Sequence, residues 1–134
     1  MDISPFIRDV QGFIPKERIY TDMLRRFAWG TDGSFYRLTP QAVIRSNDEK
    51  EVSSVLNAAS RHRIPITFRA AGTALSGQSV SDGVLLVAGK SWEGISYNPE
   101  DSSVTLEPGV IGSKVNDYLQ KFGRRFGPQY ACGY

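Results

Sequence analysis

The sequence has little of what metal and disulfide chemistry requires. Among 134 residues there is one cysteine, Cys132, and one histidine, His62. A lone thiol forms no disulfide within the chain and excludes multi-cysteine zinc and iron–sulfur sites. No apolar run approaches the roughly 20 residues that span a bilayer. The opening MDISPFIRDV lacks the basic segment and apolar stretch of a secretory signal, so the expected location is cytoplasmic. Charge of one sign is scarce too. Lys and Arg number 16 against 14 Asp and Glu, and no basic stripe interleaves with aromatics, which disfavours nucleic acid as a partner.

What is present is a mixture of helix and strand patterning, so the expected fold class is α+β around one core. SPFIRDVQGF offers Ser4 as an N-cap and Pro5 at the first helical position. Thr21 to Ala28 is a second helical candidate, stopped by Gly30 and the turn residues Asp32 and Gly33. From Pro40 the signals sharpen. QAVIR reads as a short strand. In SNDEKEVSSVLNAASRHR, Ser46 and Glu49 have the spacing of a capping box, and Val52, Val55, Leu56 and Ala59 share one helical face. IPITF resumes as a strand. Strand, helix, strand within about thirty residues predicts a βαβ unit whose strands are parallel neighbours. GVLLVA reads as a buried strand and ISYNPEDSSVTL as a hairpin. SKVNDYLQKFG reads as a final helix capped by Ser113 and stopped by Gly123. The sheet is expected to be small and mixed, flanked by helices. Residues 1–39 read as a helical lead-in, and 40–134 as the body.

Between the second and third strands lies RAAGTALSGQSVSDG, Arg69 to Gly83, with three glycines and almost no bulk. Small residues after a strand let backbone N–H groups converge on an anion, and glycine reaches the needed dihedrals without a Cβ clash. Gly72, Thr73, Ala74, Ser76 and Gly77 suit that task, with Arg69 as a source of charge. A diphosphate fits such an array. GTALSGQS has the glycine spacing of a Walker A loop, but Gln78 stands where its lysine belongs, which disfavours nucleoside triphosphate hydrolysis. The G-x-G-x-x-G dinucleotide fingerprint is absent. On composition alone, a solvated turn with no ligand remains open.

ITFRAAGTALSGQSVSDGVLL, with TPQAVIRSNDEKEVSSVLNAASRHRIP before it and SVTLEPGVIGSKVNDYLQKFGRRFGP after it, resembles the FAD-binding domain of the vanillyl-alcohol-oxidase (PCMH) type. The branch it resembles is that of FAD-linked oxidases related to the flavin-binding chain of glycolate oxidase and to D-lactate dehydrogenase. RIYTDMLRRFAWGTDGSFYRLTP is similar to the lead-in of those enzymes. The resemblance implies that Arg69, Ala70, Ala71, Gly72, Thr73, Ala74, Gly77, Gln78 and Ser79 belong to the loop that embraces the FAD diphosphate. It implies that Pro40, Val43 and Ile44 lie on the strand and turn near the adenine end. Pro108, Gly109 and Val110 match the element that closes over the cofactor. Gly123 and the FGP of Phe126 to Pro128 match the turn toward the next FAD-contacting segment. Ala70 and Ala71 stand where many relatives carry glycine, which implies a loop opened differently or binding less tightly. The loop holds neither His nor Cys, so non-covalent FAD is implied.

Enzymes of this kind continue past FGP with a second FAD segment and a substrate-binding cap, whereas this sequence ends QYACGY. The expectation is therefore the first FAD-binding subdomain, incomplete, of an oxidoreductase acting on a 2-hydroxy acid such as glycolate or D-lactate. No catalytic residue and no metal ligand is expected within it. The rival expectation is a non-catalytic binding or assembly module without a complete flavin site, self-associating through an uncovered sheet edge. The tempting singletons are given structural readings. His62, at a helix C-terminus, is read as solvated and favoured by the dipole. Trp29 and Trp92 are read as packing, and Cys132 as incidental. The pairs Arg25–Arg26 and Arg124–Arg125 are read as solvated faces.

Overall fold

The computed structural model describes residues 2–127, so Pro128 and Cys132 lie outside the described residues. The chain divides into two compact units, Met1–Gly89 and Lys90–Tyr134.

The first unit is built on strand β4 (Val84–Ala88). Its residues Val84, Leu85, Leu86 and Val87 are all buried, so it has no face to give to water. Burying a Val or Leu side chain is worth about 1.5–3 kcal/mol, and a strand apolar on both faces belongs in the middle of a sheet. It sits there: β2 (Ala42–Ser46) and β3 (Ile66–Arg69) flank it, both parallel to it. The two-residue strand β1 (Ile19–Tyr20) pairs antiparallel with β2, completing a mixed sheet of order β1-β2-β4-β3. The expectation that β2 and β3 are neighbours is therefore corrected. They are parallel, but the more apolar β4 takes the place between them, and half-buried β3 is left at the edge.

Side-chain alternation sorts the strands onto two faces. Ala42, Ile44, Val84 and Leu86 pack against helices α1 (Ser4–Val10) and α3 (Glu49–His62) through Phe6, Val10, Val55 and Ala58. Val43, Leu85 and Val87 point the other way, toward Tyr20 and Trp29. The lead-in thus supplies α1, β1 and the short helix α2 (Met23–Ala28) to this unit.

Helix starts depart from the expected caps. Ser46 ends β2, and its hydroxyl donates to the Val87 carbonyl (3.3 Å), so it is committed to the sheet. Asp48 caps α3 instead, accepting from the Glu51 amide (2.8 Å), while the Glu51 carboxylate accepts from the Asn47 amide (2.7 Å). α1 begins at Ser4 itself, whose amide donates to Asp2 Oδ1. His62 is tied down rather than solvated. Its Nε2 hydrogen-bonds with Asp9 Oδ2 (2.8 Å) and its ring meets Phe6 edge-on, joining α3 to α1. That contact, followed by Arg61, holds the Asp9 carboxyl below its ordinary value. Arg25 and Arg26 are also occupied: Arg25 pairs with Asp22, and Arg26 Nε donates to the Pro40 carbonyl (2.6 Å).

The second unit is a hairpin, β5 (Ile95–Asn98) and β6 (Ser103–Leu106), followed by α4 (Gly112–Gln120). Val115 and Leu119 of α4 are buried, and Phe122 packs on Tyr97 of β5 with ring centroids 4.9 Å apart. Ser113 does not cap α4. The helix starts one residue earlier, after Ile111 in extended backbone, with no side-chain cap.

Arg18, on a single helical turn at Lys16–Arg18, grips Glu51 through both carboxylate oxygens (2.7 and 2.6 Å), with both side chains largely buried. The Arg18 contact, ahead of the Asn47 amide, lowers the Glu51 pKa from its ordinary 4.5. A depressed carboxyl pKa stabilises the fold above the unfolded value and ceases to do so as pH falls through the folded one. Glu51→Gln is expected to cost about 1–3 kcal/mol at neutral pH. The deficit should shrink progressively in thermal melts as pH falls below 4.5 and through the lower folded value, because the carboxyl of the unfolded wild-type chain takes up its proton first.

Candidate functional site

The segment Ala70–Gly83 leaves β3 at the carboxyl end of the parallel strands and must return to the start of β4. Such a crossover usually carries a helix; this one carries none, and the backbone is left accessible. In open α/β sheets, ligands gather beyond the carboxyl ends of strands.

Two of the loop's glycines answer to the chain's own atoms. Gly72 has φ +73°, and a Cβ there would run into the Arg69 guanidinium. Gly77 has φ +78°, and a Cβ would stand 2.7 Å from the Tyr36 ring. Both are left-handed positions that L side chains rarely adopt. The amides tell a different story. Among the described residues, no protein acceptor takes a hydrogen bond from the backbone N–H of any residue from Ala70 to Gln78. A free N–H needs a partner, and a run of them is a donor array for an anion. Ala70, Ala71, Thr73 and Gln78 are all exposed, while Gly72, Ala74 and Gly77 between them are half-buried.

The loop's ends are fixed. At one end the Gly72 carbonyl accepts from the Gly33 amide (2.9 Å). At the other, buried Ser79 donates its hydroxyl to Asp32 Oδ2 (2.9 Å). Beyond it, Gln41 reaches the Gly83 carbonyl through its amide (2.7 Å) and the Asp82 carbonyl through its side chain (3.1 Å), joining the loop's exit to β2. Arg69 lies beneath the loop. Its Nη1 donates to the carbonyls of Thr31 (2.7 Å), Trp29 (3.1 Å) and Ser79 (3.4 Å), and the guanidinium rests over the Trp29 ring. Its Nε is buried with no partner among the described residues. Burial pulls the Arg69 pKa below its ordinary value, against the opposing pull of Asp32. The Ser34 hydroxyl, aided by the Ser34 amide and the Ser79 hydroxyl, holds the Asp32 pKa down at about 2. An open groove of about 280 Å³ runs beside Gly77, lined by Tyr36, Arg37, Leu38, Ser76 and Val80.

The other sequence-predicted residues belong to the second unit or to the core. Pro108, Gly109 and Val110 follow β6. The Gly109 amide donates to the Trp92 carbonyl (2.8 Å) and the Val110 amide to the Glu107 carbonyl (3.1 Å), so neither of these amides is free. Pro40 is fully buried at the entry to β2, and Val43 and Ile44 are core residues on opposite faces of that strand. Sequence reasoning missed Asp32, Gly33, Ser34 and Tyr36 as neighbours of the loop. The only signal was the turn-forming run TDGS, which reads equally well as the stop of α2. Among the described residues, no cluster of three or more His, Cys, Asp or Glu is placed to hold a metal ion, and no helix is long and apolar enough to cross a membrane.

The first unit is thus an α+β module: a mixed sheet that carries at its edge a loop of unpartnered amides anchored at both ends. The comparisons agree on which one. Residues 40–134 match the family model described as FAD binding domain, and the chain belongs to that family. D-2-hydroxyglutarate dehydrogenase of Escherichia coli (strain K12) is 32% identical over 113 residues, covering 81% of this chain and 11% of that protein. Glycolate oxidase subunit GlcD of the same strain is 30% identical over 105 residues, 74% of this chain and 21% of that one. The chain therefore spans between about a tenth and a fifth of these relatives. In fold it is similar to an alkyldihydroxyacetonephosphate synthase, with a TM-score of 0.82 at 15% identity, covering 99% of this chain and 27% of that one. The resemblance and the fold class read from the sequence are both met.

The left-handed glycines make a sharp contrast with Gly112, which opens α4 and where an added Cβ would meet nothing within 4 Å. Gly72→Ala and Gly77→Ala should each destabilise the protein by about 1–2 kcal/mol, from the left-handed backbone alone. Gly112→Ala should be neutral or stabilising by up to about 1 kcal/mol. Chemical denaturation followed by circular dichroism distinguishes the two outcomes.

Proposed function

We propose that the Arg69–Ser79 loop seats the diphosphate of non-covalently held FAD, as part of a flavin-dependent oxidoreductase that oxidises a 2-hydroxy acid. The observation that carries this is the run of amides from Ala70 to Gln78 with no protein acceptor among the described residues, on a loop fixed at Gly72 and Ser79. Family membership supports FAD as the guest, and the printed activities of the relatives support the acid.

The donor set fits the group. Backbone N–H groups, with the hydroxyls of Thr73 and Ser76, offer hydrogen bonds to phosphate oxygens at no desolvation cost to a neighbouring cation. Arg69 adds positive potential from below, although its Nη1 is already committed to carbonyls. The chemistry that FAD supplies when bound is acceptance of a hydride equivalent from the α-carbon of the hydroxy acid. This chain's residues bind and orient. Pro108, Gly109 and Val110 are proposed as cofactor contacts through backbone carbonyls and van der Waals approach, because the Gly109 and Val110 amides are already bonded. Residues 1–39 are proposed as a lead-in that supports the body at 40–134. A second reading, an assembly module, draws on β3, which stands at the edge of its sheet with Phe68 exposed.

Titration separates these readings. FAD fluorescence should be quenched on binding and the titration should saturate, ADP should compete with it, and riboflavin, which lacks phosphate, should not. Acid precipitation of the complex should release all flavin to the supernatant. A protein that takes up riboflavin as well as FAD would overturn the diphosphate seat. Failure to bind FAD together with a stable oligomer in sedimentation would favour the assembly module.

A further inference from the structure

We propose that Asp32 is the positioning residue of the diphosphate loop, holding it in its amide-outward form through Ser79. The inference rests on the reading of that loop as a phosphate seat.

Asp32 divides its two oxygens between two tasks. Oδ1 stays local, accepting from the Ser34 amide (2.8 Å) and hydroxyl (2.5 Å) and so shaping its own turn. The Ser34 hydroxyl in turn accepts from the Tyr36 amide (3.1 Å), and the Tyr36 ring covers Gly77. Oδ2 reaches 47 positions along the chain to the hydroxyl of buried Ser79. The residue after Asp32, Gly33, donates to the Gly72 carbonyl, and a Cβ on Gly33 would press on the Thr73 and Ala74 carbonyls at 3.1 and 3.2 Å. One turn therefore holds both ends of the loop, at Gly72 and Ser79, and leaves the amides between them unclaimed.

An acid beside a phosphate seat is ordinarily repulsive. Here the charge is compensated. The Asp32 carboxylate is neighboured by the Arg69 guanidinium, which donates to the carbonyls of Thr31 and Ser79 on either side of it. Charged acceptors make the stronger hydrogen bonds, so an ionised Asp32 is a firmer anchor for a buried hydroxyl than an amide or a second hydroxyl. The carboxylate is spent on the loop's own Ser79.

Asp32→Asn, Ser79→Ala and the double variant test this, with Asp101→Asn in the β5–β6 turn as a control. Each single change at Asp32 or Ser79 should weaken FAD binding about tenfold, as expected for loss of a hydrogen bond to a charged group. The double variant should be no more than about twofold weaker than either, because both remove one bond. Without ligand, the amide resonances of Gly72 and Gly77 should shift and the Gly33 amide should lose exchange protection, while α3 and β4 keep theirs. Asp101→Asn should change none of these. Unchanged FAD affinity in Asp32→Asn, multiplying losses in the double variant, or unmoved Gly72 and Gly77 resonances would each overturn the proposal. If the wild type takes no FAD but the glycine resonances respond, the phosphate-seat reading falls and the positioning role stands. Should Asp32→Asn fail to fold, Ser79→Ala decides by the same measurements.

Discussion

The first unit depends on the burial of β4. A strand with Val84, Leu85, Leu86 and Val87 all removed from water has to lie between two others. That requirement pushes β3 outward to the edge and obliges the chain to cross from its carboxyl end back to the start of β4. The crossing has no helix to satisfy its backbone. Its amides either find protein acceptors or stand ready for something else, and from Ala70 to Gln78 they stand ready. The donor array of the loop is thus a consequence of where the apolar run has to go.

A loop of small residues does not hold a shape by itself, because glycine has the most backbone freedom to lose. The shape comes from outside it. Arg69 gathers three carbonyls beneath the loop, and the Thr31–Tyr36 turn ties it at Gly72 and Ser79. All of those partners from the lead-in precede residue 40, where the family match begins. The lead-in is therefore joined physically to the loop that it precedes by some forty residues in sequence, and the loop's outward surface is shaped by residues outside the matched segment.

Charge placement follows the same economy. Arg69 and Asp32 are neighbours with opposite demands, and each is spent largely on the chain itself: the guanidinium on carbonyls, the carboxylate on Ser34 and Ser79. What is left to face outward is the neutral polarity of peptide groups. Backbone dipoles attract anionic oxygens without the hydration that an exposed cation would lose on binding, and the TALSGQ segment offers such dipoles and no lysine.

Much of this was legible in the sequence. The face formed by Val52, Val55 and Ala59 specified α3, the alternation around NPED specified the hairpin, and the cleared stretch after ITFR marked the loop. These are local signals, carried by spacing along the chain, and residues a few positions apart are enough to express them. The order of strands was not legible, because β2 and β3 satisfy the βαβ pattern equally well with or without a strand between them. Nor were the true caps: Ser46 was a candidate until the sheet claimed its hydroxyl, leaving Asp48 to cap the helix. The partnership of Asp32 with Ser79, and of Arg69 with Thr31, belongs wholly to tertiary structure. Such contacts join segments some forty residues apart, and only the topology that sends β4 to the middle of the sheet brings those segments together.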